Sequence, residues 1–334
     1  MDREQHELQF LGFFGIFKES FKIIFSWRKI FSKITLALIV PLSFIFLAQI
    51  KISHLLFSDI VYDRYNSENT SENSSEHDNL SGTISSDLTY FWLFRAACFI
   101  FLVILSLLST AAIVYTIACI FTGKKPTFKK VMRVVPKVWK RLLVTFIWGF
   151  LFIVVYHIVA AVLFILWAAF IRASTVRIAI VIVLLILYLI GFVYISIVWD
   201  LASVVSVLED VYGLKAMIKS KALIKGKMGV AVAFFILISV CLAAIELVFE
   251  CFVVLDMASN IAISIMVGIL SFLFLVMVSL FGFVVQTFVY LVCKSYHHED
   301  IDKPSLADHL EGYLGEYVRL RAPKDNVQLG EVQV

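Results

Sequence analysis

The chain has 334 residues, 61% of them hydrophobic and 16% charged, with a formal net charge of +4 and a mean hydropathy of +0.94. A soluble domain of this length needs a far more polar surface, so the composition excludes a water-soluble enzyme or binding module and points to a membrane protein.

Six continuous apolar runs, at 34–57, 91–121, 142–171, 178–200, 228–255 and 261–293, each reach the roughly 20 residues that span a bilayer as a helix. Barrel strands would alternate apolar and polar residues, and these runs do not. The fold class is therefore all-α, a polytopic membrane bundle of six transmembrane helices. Residues 1–33 form an N-terminal segment, 34–293 the transmembrane domain and 294–334 a C-terminal tail. No cleavage site follows the charged first 30 residues, so the first span is expected to act as an uncleaved signal anchor.

The N-terminal segment carries an aromatic stripe of Phe10, Phe13, Phe14, Phe17, Phe21, Ile24, Phe25 and Phe31, with Lys18, Lys22, Lys29 and Lys33 beside it. Three- and four-residue spacing of this kind predicts a basic amphipathic helix lying in the headgroup plane. After the first span, segment 58–90 holds one base, Arg64, against seven acids, and contains the sequons at Asn69, Asn73 and Asn79. Such sequons mark a loop on the non-cytosolic side, although a Ser/Asn-rich loop also generates them by composition. The loop reads as polar and disordered.

Segment 122–141 contains Lys124, Lys125, Lys129, Lys130, Arg133, Lys137, Lys140 and Arg141 and no acid. Its stripe of Phe128, Val131, Met132, Val135, Val138, Trp139 and Leu142 predicts a second in-plane helix. Segment 209–227 adds Lys215, Lys219, Lys221, Lys225 and Lys227 against Glu209 and Asp210. The positive-inside rule places both basic segments, and both termini, in the cytosol. The basic segments align with one another, Lys129 with Lys215 and Arg133 with Lys219, which suggests a unit of interfacial helix plus transmembrane hairpin used three times. Lys129, Lys130, Arg133, Lys137, Lys215 and Lys219 are candidates to contact anionic lipid, each worth about 1 kcal/mol near an anionic leaflet. The positive-inside rule alone also accounts for them.

Ionisable groups within spans are functional candidates by default. His157 lies about 22 Å along its helix, and Glu246 and Glu250 share one helical face. Together they could handle a proton or cation; alternatively the glutamates sit at a wet helix end and His157 bonds a neighbouring helix. Asp200, Glu209 and Gln286 lie toward the cytosolic side. The five cysteines all fall within apolar runs and offer no disulfide framework. No phosphate-binding Gly-rich loop, His-Glu-X-X-His helix or serine nucleophile elbow occurs. No enzyme chemistry, metal or cofactor is expected, and nothing points to nucleic acid. In the tail, Tyr317-Val-Arg-Leu320 fits the Tyr-X-X-apolar pattern that trafficking adaptors bind as an added strand. Packing of the tail against the basic segments is the alternative.

Two stretches resemble known families. Glu209-Asp210, Gly213-Leu-Lys-Ala216, Lys219-Ser220 and Leu223-Ile-Lys-Gly226 resemble the membrane region of bacterial glycerophosphoryl diester phosphodiesterases, whose catalytic domain has no counterpart here. Cys293-Lys-Ser-Tyr-His-His-Glu and Asp308-His-Leu-Glu-Gly-Tyr-Leu-Gly-Glu-Tyr-Val318 are similar to a plant family of six-helix membrane proteins. The resemblance implies a bundle of repeated hairpins and a plant endomembrane setting, and it brings no catalytic residues. The functional expectation is a non-catalytic membrane component in lipid organisation or trafficking. A transporter using His157, Glu246 and Glu250 is the alternative, and an accessory subunit of a lipid-processing enzyme is a third.

Overall fold

A computed structural model describes residues 10–69, 75–170, 174–257 and 260–297. Among these residues all regular structure is helical. Helix α1 spans Phe13–Ser26 and α2 spans Arg28–Ile34. A π-helical turn, Thr35–Ile39, joins α2 to α3, Val40–Asn69. Then follow α4, Ser75–Phe121, α5, Phe128–Phe170, α6, Ser174–Leu208, and the short α7, Leu214–Leu223. Helix α8, Met228–Phe249, ends in a second π turn, Glu250–Val254. The last helix, α9, Ile261–Tyr296, starts at Asn260, whose side chain accepts from the Ala262 N–H at 2.9 Å and so satisfies one of the unpaired donors of the first turn. Six of these stretches are long and apolar enough to cross a membrane, and each overlaps one of the six expected runs.

The long helices pair as three hairpins, α3/α4, α5/α6 and α8/α9, and the second helix of each hairpin meets the other two at the centre. The first helix of each hairpin also touches a neighbouring hairpin: α5 packs on α4, α8 on α6 and α3 on α9. Each hairpin thus contacts both of the others. The larger core occupies one end of the bundle. Buried residues cluster in the last turns of α4 (Ala112, Ile113, Ile117), α6 (Leu201, Val204, Val205) and α9 (Val284, Phe288, Tyr290), and α1, α2 and α7 pack against the same end. Toward the opposite end a smaller buried cluster, Leu47, Phe249, Val254 and Leu275, joins α3 to the α8/α9 hairpin, while the α5/α6 hairpin is open. Ile158, Val162 and Leu166 of α5 and Ile182, Ile186 and Ile190 of α6 are all exposed apolar side chains. Segments 122–141 and 209–227 both lie at the packed end, called here the basic end.

Two expectations change. The described residues of segment 58–90 are helical rather than a disordered loop: α3 runs to Asn69 and α4 begins at Ser75. A helix already formed adds residues cheaply, since each brings its own backbone hydrogen bond, so the ladder continues past the apolar run. Second, residues 128–141 are not a separate helix but the first turns of α5, with Pro136 inside it. Their stripe of Val131, Val135, Val138 and Leu142 is fully buried in the protein core rather than laid on a surface, and this burial holds the segment in line with the span. On α1 the protein core covers Ile16, Glu19, Ser20 and Ile23. Phe10, Phe14, Phe17 and Phe25 of the expected stripe are exposed, and only Phe31 is fully buried.

At the end remote from the basic segments, one lysine explains its own presence in an apolar helix. Lys51 Nζ donates to the Val253 and Val254 carbonyls, at 2.9 and 3.2 Å, where the α8 ladder ends in its π turn. A cation there meets the negative end of the helix dipole and carbonyls with no helical partner. Lys51→Met should keep the packing volume while leaving those carbonyls unpaired, a loss of about 1–3 kcal/mol. Thermal unfolding in detergent, followed by tryptophan fluorescence, should show a lowered midpoint.

Candidate functional site: the basic end of the bundle

The two basic segments 122–141 and 209–227 meet at one end, where polar anchors hold them. The strongest is Glu209, just past the end of α6. Its Oε1 accepts from Tyr290 Oη at 2.7 Å and Lys294 Nζ at 2.9 Å, and its Oε2 pairs with Lys219 Nζ at 2.7 Å. One carboxylate therefore ties α6, α7 and α9 together. Burial pushes the Glu209 carboxyl up, but the hydrogen bonds from Lys219, Tyr290 and Lys294 outweigh it, so the group titrates below the usual glutamate range. Nearby, Asp210 accepts from Arg141 at 2.8 Å, which joins α5 to the same corner.

Helix α7 is bounded by glycines whose backbone demands them. Gly213 has φ +65° and Gly226 φ +89°, a region that side chains with a Cβ rarely enter. The Gly213 N–H donates to Thr145 Oγ1 at 2.8 Å, and the same hydroxyl lies 2.6 Å from Ser206 Oγ. At Gly226 a Cβ would collide with the Tyr296 ring. Lys227 Nζ stands 5.3 Å over that ring, and His297 Nε2 donates to the Lys225 carbonyl at 2.9 Å. Ser220 Oγ, fully buried, donates to the Val198 carbonyl at 2.7 Å. Helix α7 is thus strapped across the ends of α6 and α9, with Ala216, Met217, Ser220 and Leu223 facing in.

What α7 turns outward is mixed. Tyr212, Leu214 and Ile218 are exposed, Ile218 at 68%, beside exposed Lys215, Lys221 and Lys225. Helix α1 repeats the combination: Phe10, Phe14 and Phe25 are exposed, Phe14 at 84%, beside exposed Lys18, Lys22 and Lys29. The outer face of residues 128–141 differs, presenting Lys129, Lys130, Arg133, Lys137 and Lys140 with its apolar stripe buried. Of the six candidates for anionic-lipid contact, five are therefore exposed at one end. Lys219 is instead engaged by Glu209.

Below this end, a crevice of about 300 Å³ opens between α6, α8 and α9. Its walls include Phe234, Phe235 and Phe283, with Asp200 and Gln286 as its charged and amide groups. The Gln286 amide donates to the Asp200 carbonyl, which fixes α9 against α6. Sequence reasoning noted Asp200, Glu209 and Gln286 only as polar residues near one end. Apart from Lys219, the partners described stand more than 80 residues away along the chain, and no local spacing encodes that. Lys51 and Thr145 were missed. A single lysine inside an apolar run was the available signal for the first.

The intramembrane candidates are not brought together. His157 Nδ1 lies 2.7 Å from the Ile153 carbonyl of its own helix, and its ring meets Tyr188 and Phe192 edge-on within the α5/α6 hairpin. Glu246 and Glu250 are exposed at the far end of α8. None of the hydrogen bonds and ion pairs among the described residues links them to His157. No cluster of metal-ligating side chains occurs among the described residues. Asn73, Tyr317 and Leu320 lie outside the described residues, as do the side chains of Asn69 and Asn79.

Residues 1–332 match the family described as a domain of unknown function, DUF8558, and the chain belongs to that family. No curated protein and no solved structure matches it.

Breaking a buried ion pair from one side leaves the other charges without compensation and costs about 3–5 kcal/mol. Glu209→Gln should therefore lower the unfolding midpoint sharply and loosen α7, read as faster trypsin cleavage after Lys215 or Lys221. The pH sign follows from the depressed carboxyl. Its contribution is present above the ordinary glutamate value of about 4.3 and is lost as pH falls through the lower folded value. Below that, wild type should approach the Gln variant in stability.

Proposed function

We propose that the chain is an integral membrane protein whose basic end rests on the anionic cytosolic leaflet. It acts there without catalysis, organising lipid or marking the membrane for trafficking machinery. The observation that carries this reading is the pairing, on α1 and α7, of exposed aromatic and aliphatic side chains with exposed lysines at the same end of the bundle. A short helix with that surface lies in the headgroup plane, its apolar side chains sunk among acyl chains and its amines at phosphate level. The basic outer face of residues 128–141 adds charge without insertion. Each base near the leaflet contributes about 1 kcal/mol.

Under this reading segment 58–90 faces the lumen or the outside, where Asn69, Asn73 and Asn79 would carry glycans. The tail then lies in the cytosol, where Tyr317 and Leu320 would be open to an adaptor. Its likeness to a plant six-helix family favours an endomembrane address. The transport reading gains no comparable support, because His157, Glu246 and Glu250 stand on separate hairpins. The accessory-subunit reading rests on no particular contact.

Neutralising Lys129, Arg133 and Lys215 together to Gln tests the proposal with the protein in nanodiscs that mix phosphatidylserine and phosphatidylcholine. Each lost charge should weaken enrichment of phosphatidylserine around the protein by about fivefold at low salt, with the fold intact because all three side chains are exposed. Unchanged enrichment in the triple variant would refute the reading.

A further inference from the structure

We infer that the groove between α1–α2 and the α8/α9 hairpin is a binding site for one acyl chain of an anionic phospholipid, with Arg28 holding its phosphate. The groove encloses about 700 Å³, within the span of sites that hold small amphiphiles. Phe17 and Phe21 form one wall, their rings 5.2 and 4.8 Å from that of Phe281 on α9. Leu237, Cys241 and Met277 line it further in. Its lining is apolar except for Arg28, Ser32 and Thr35, which all come from the α2 stretch and the start of the π turn.

Those three residues have the chemistry of a phosphate clamp. Arg28 is exposed and has no ion-pair partner among the described residues. A guanidinium offers a planar fork of donors that matches two phosphate oxygens at once. Thr35 Oγ1 is buried and has no hydrogen-bond partner, so the wall keeps one hydroxyl for which the protein supplies nothing. It opens the π-helical turn Thr35–Ile39, an irregularity that in helices often marks a functional site.

Direction selects a membrane lipid over a free anion. Arg28 opens the α2 stretch ahead of the first span, whereas Cys241 is thirteen residues into α8, about 20 Å along that helix from its start at the basic end. A phosphate on Arg28 with its chain running toward Cys241 and Met277 hangs as a leaflet lipid does. This site rests on the reading that the basic end lies at an anionic leaflet. It is nonetheless separable from that reading, since Arg28 and the groove take no part in the outer charge of residues 128–141 or α7.

The test is photo-crosslinking of the full-length detergent-solubilised protein with phosphatidylglycerol bearing a diazirine in its acyl chain, mapped by mass spectrometry. Phosphatidylcholine of the same chain serves as the comparison. Adducts should concentrate on Cys241, Met277 and Phe281, at least fivefold above phosphatidylcholine. Arg28→Gln should bring the two lipids level, and Cys241→Trp, which fills the groove, should remove these adducts for both. Equal labelling by the two lipids in wild type, or adducts that persist in a folded Cys241→Trp protein, would overturn the site. Should Cys241→Trp fail to fold, the exposed Arg28→Gln variant decides alone: phosphatidylglycerol labelling unchanged in it overturns the proposal. Absence of groove adducts in the wild-type protein, with the charge dependence of the outer bases preserved, would reject this site and leave the broader membrane reading standing.

Discussion

The carboxylate of Glu209 is the constraint on which the basic end depends. It sits where α6 leaves the bundle, and it holds two ammonium groups and a phenol from α7 and α9. Without it, α7 would lose its ion-pair ties to α6 and α9 and be held by its packed face and by the hydrogen bonds at Gly213, Ser220 and Lys225. An ion pair is weak evidence of stability when a hydrophobic group could replace it. This one has a second effect: it uses up Lys219 and Lys294 and so sorts the positive charge of the end into structural and outward-facing sets. Lys129, Arg133 and Lys215 belong to the outward set.

Packing follows from the same end. The inner helices α4, α6 and α9 bury nearly continuous faces there, while toward the other end the α5/α6 hairpin leaves apolar side chains exposed and only a small cluster joins α3 to the α8/α9 hairpin. In water that surface would drive aggregation. In a bilayer it needs no protein partner, because lipid tails are as apolar as the side chains they meet. A bundle packed mainly at one end leaves spaces between its lobes, and both the Asp200 crevice and the Arg28 groove flank the α8/α9 hairpin. The proposed lipid function and the proposed lipid site are thus two consequences of one architecture.

Much of this was legible in the sequence. The six spans could be read because twenty apolar residues in a row have few other uses, and the basic segments because charge cannot hide in such runs. The stripe at 128–142 was read correctly as a stripe and wrongly as a lipid-facing one. Periodicity reports that one face is apolar and not whether lipid or protein covers it. In α1 the phenylalanine stripe was the visible pattern, and the face that the core covers, Ile16, Glu19, Ser20 and Ile23, had no such signal because two of its four residues are polar. The likeness around Leu223-Ile-Lys-Gly226 gained its physical reason only from the backbone, since a φ of +89° beside the Tyr296 ring leaves room for nothing but glycine. Glu209 could be counted as an acid in a basic loop, but its partners at 290 and 294 are set by topology alone.

If the proposed function holds, the chain crosses a membrane with every basic segment on one side. Single cysteines at Lys129, Lys215 and Ser86, in a background with the five native cysteines replaced, would be exposed to a membrane-impermeant maleimide in sealed vesicles of known sidedness. Lys129→Cys and Lys215→Cys should label from one common side and Ser86→Cys from the other. Labelling of Lys129→Cys and Lys215→Cys from opposite sides, or of Ser86→Cys from the same side as both, would contradict it.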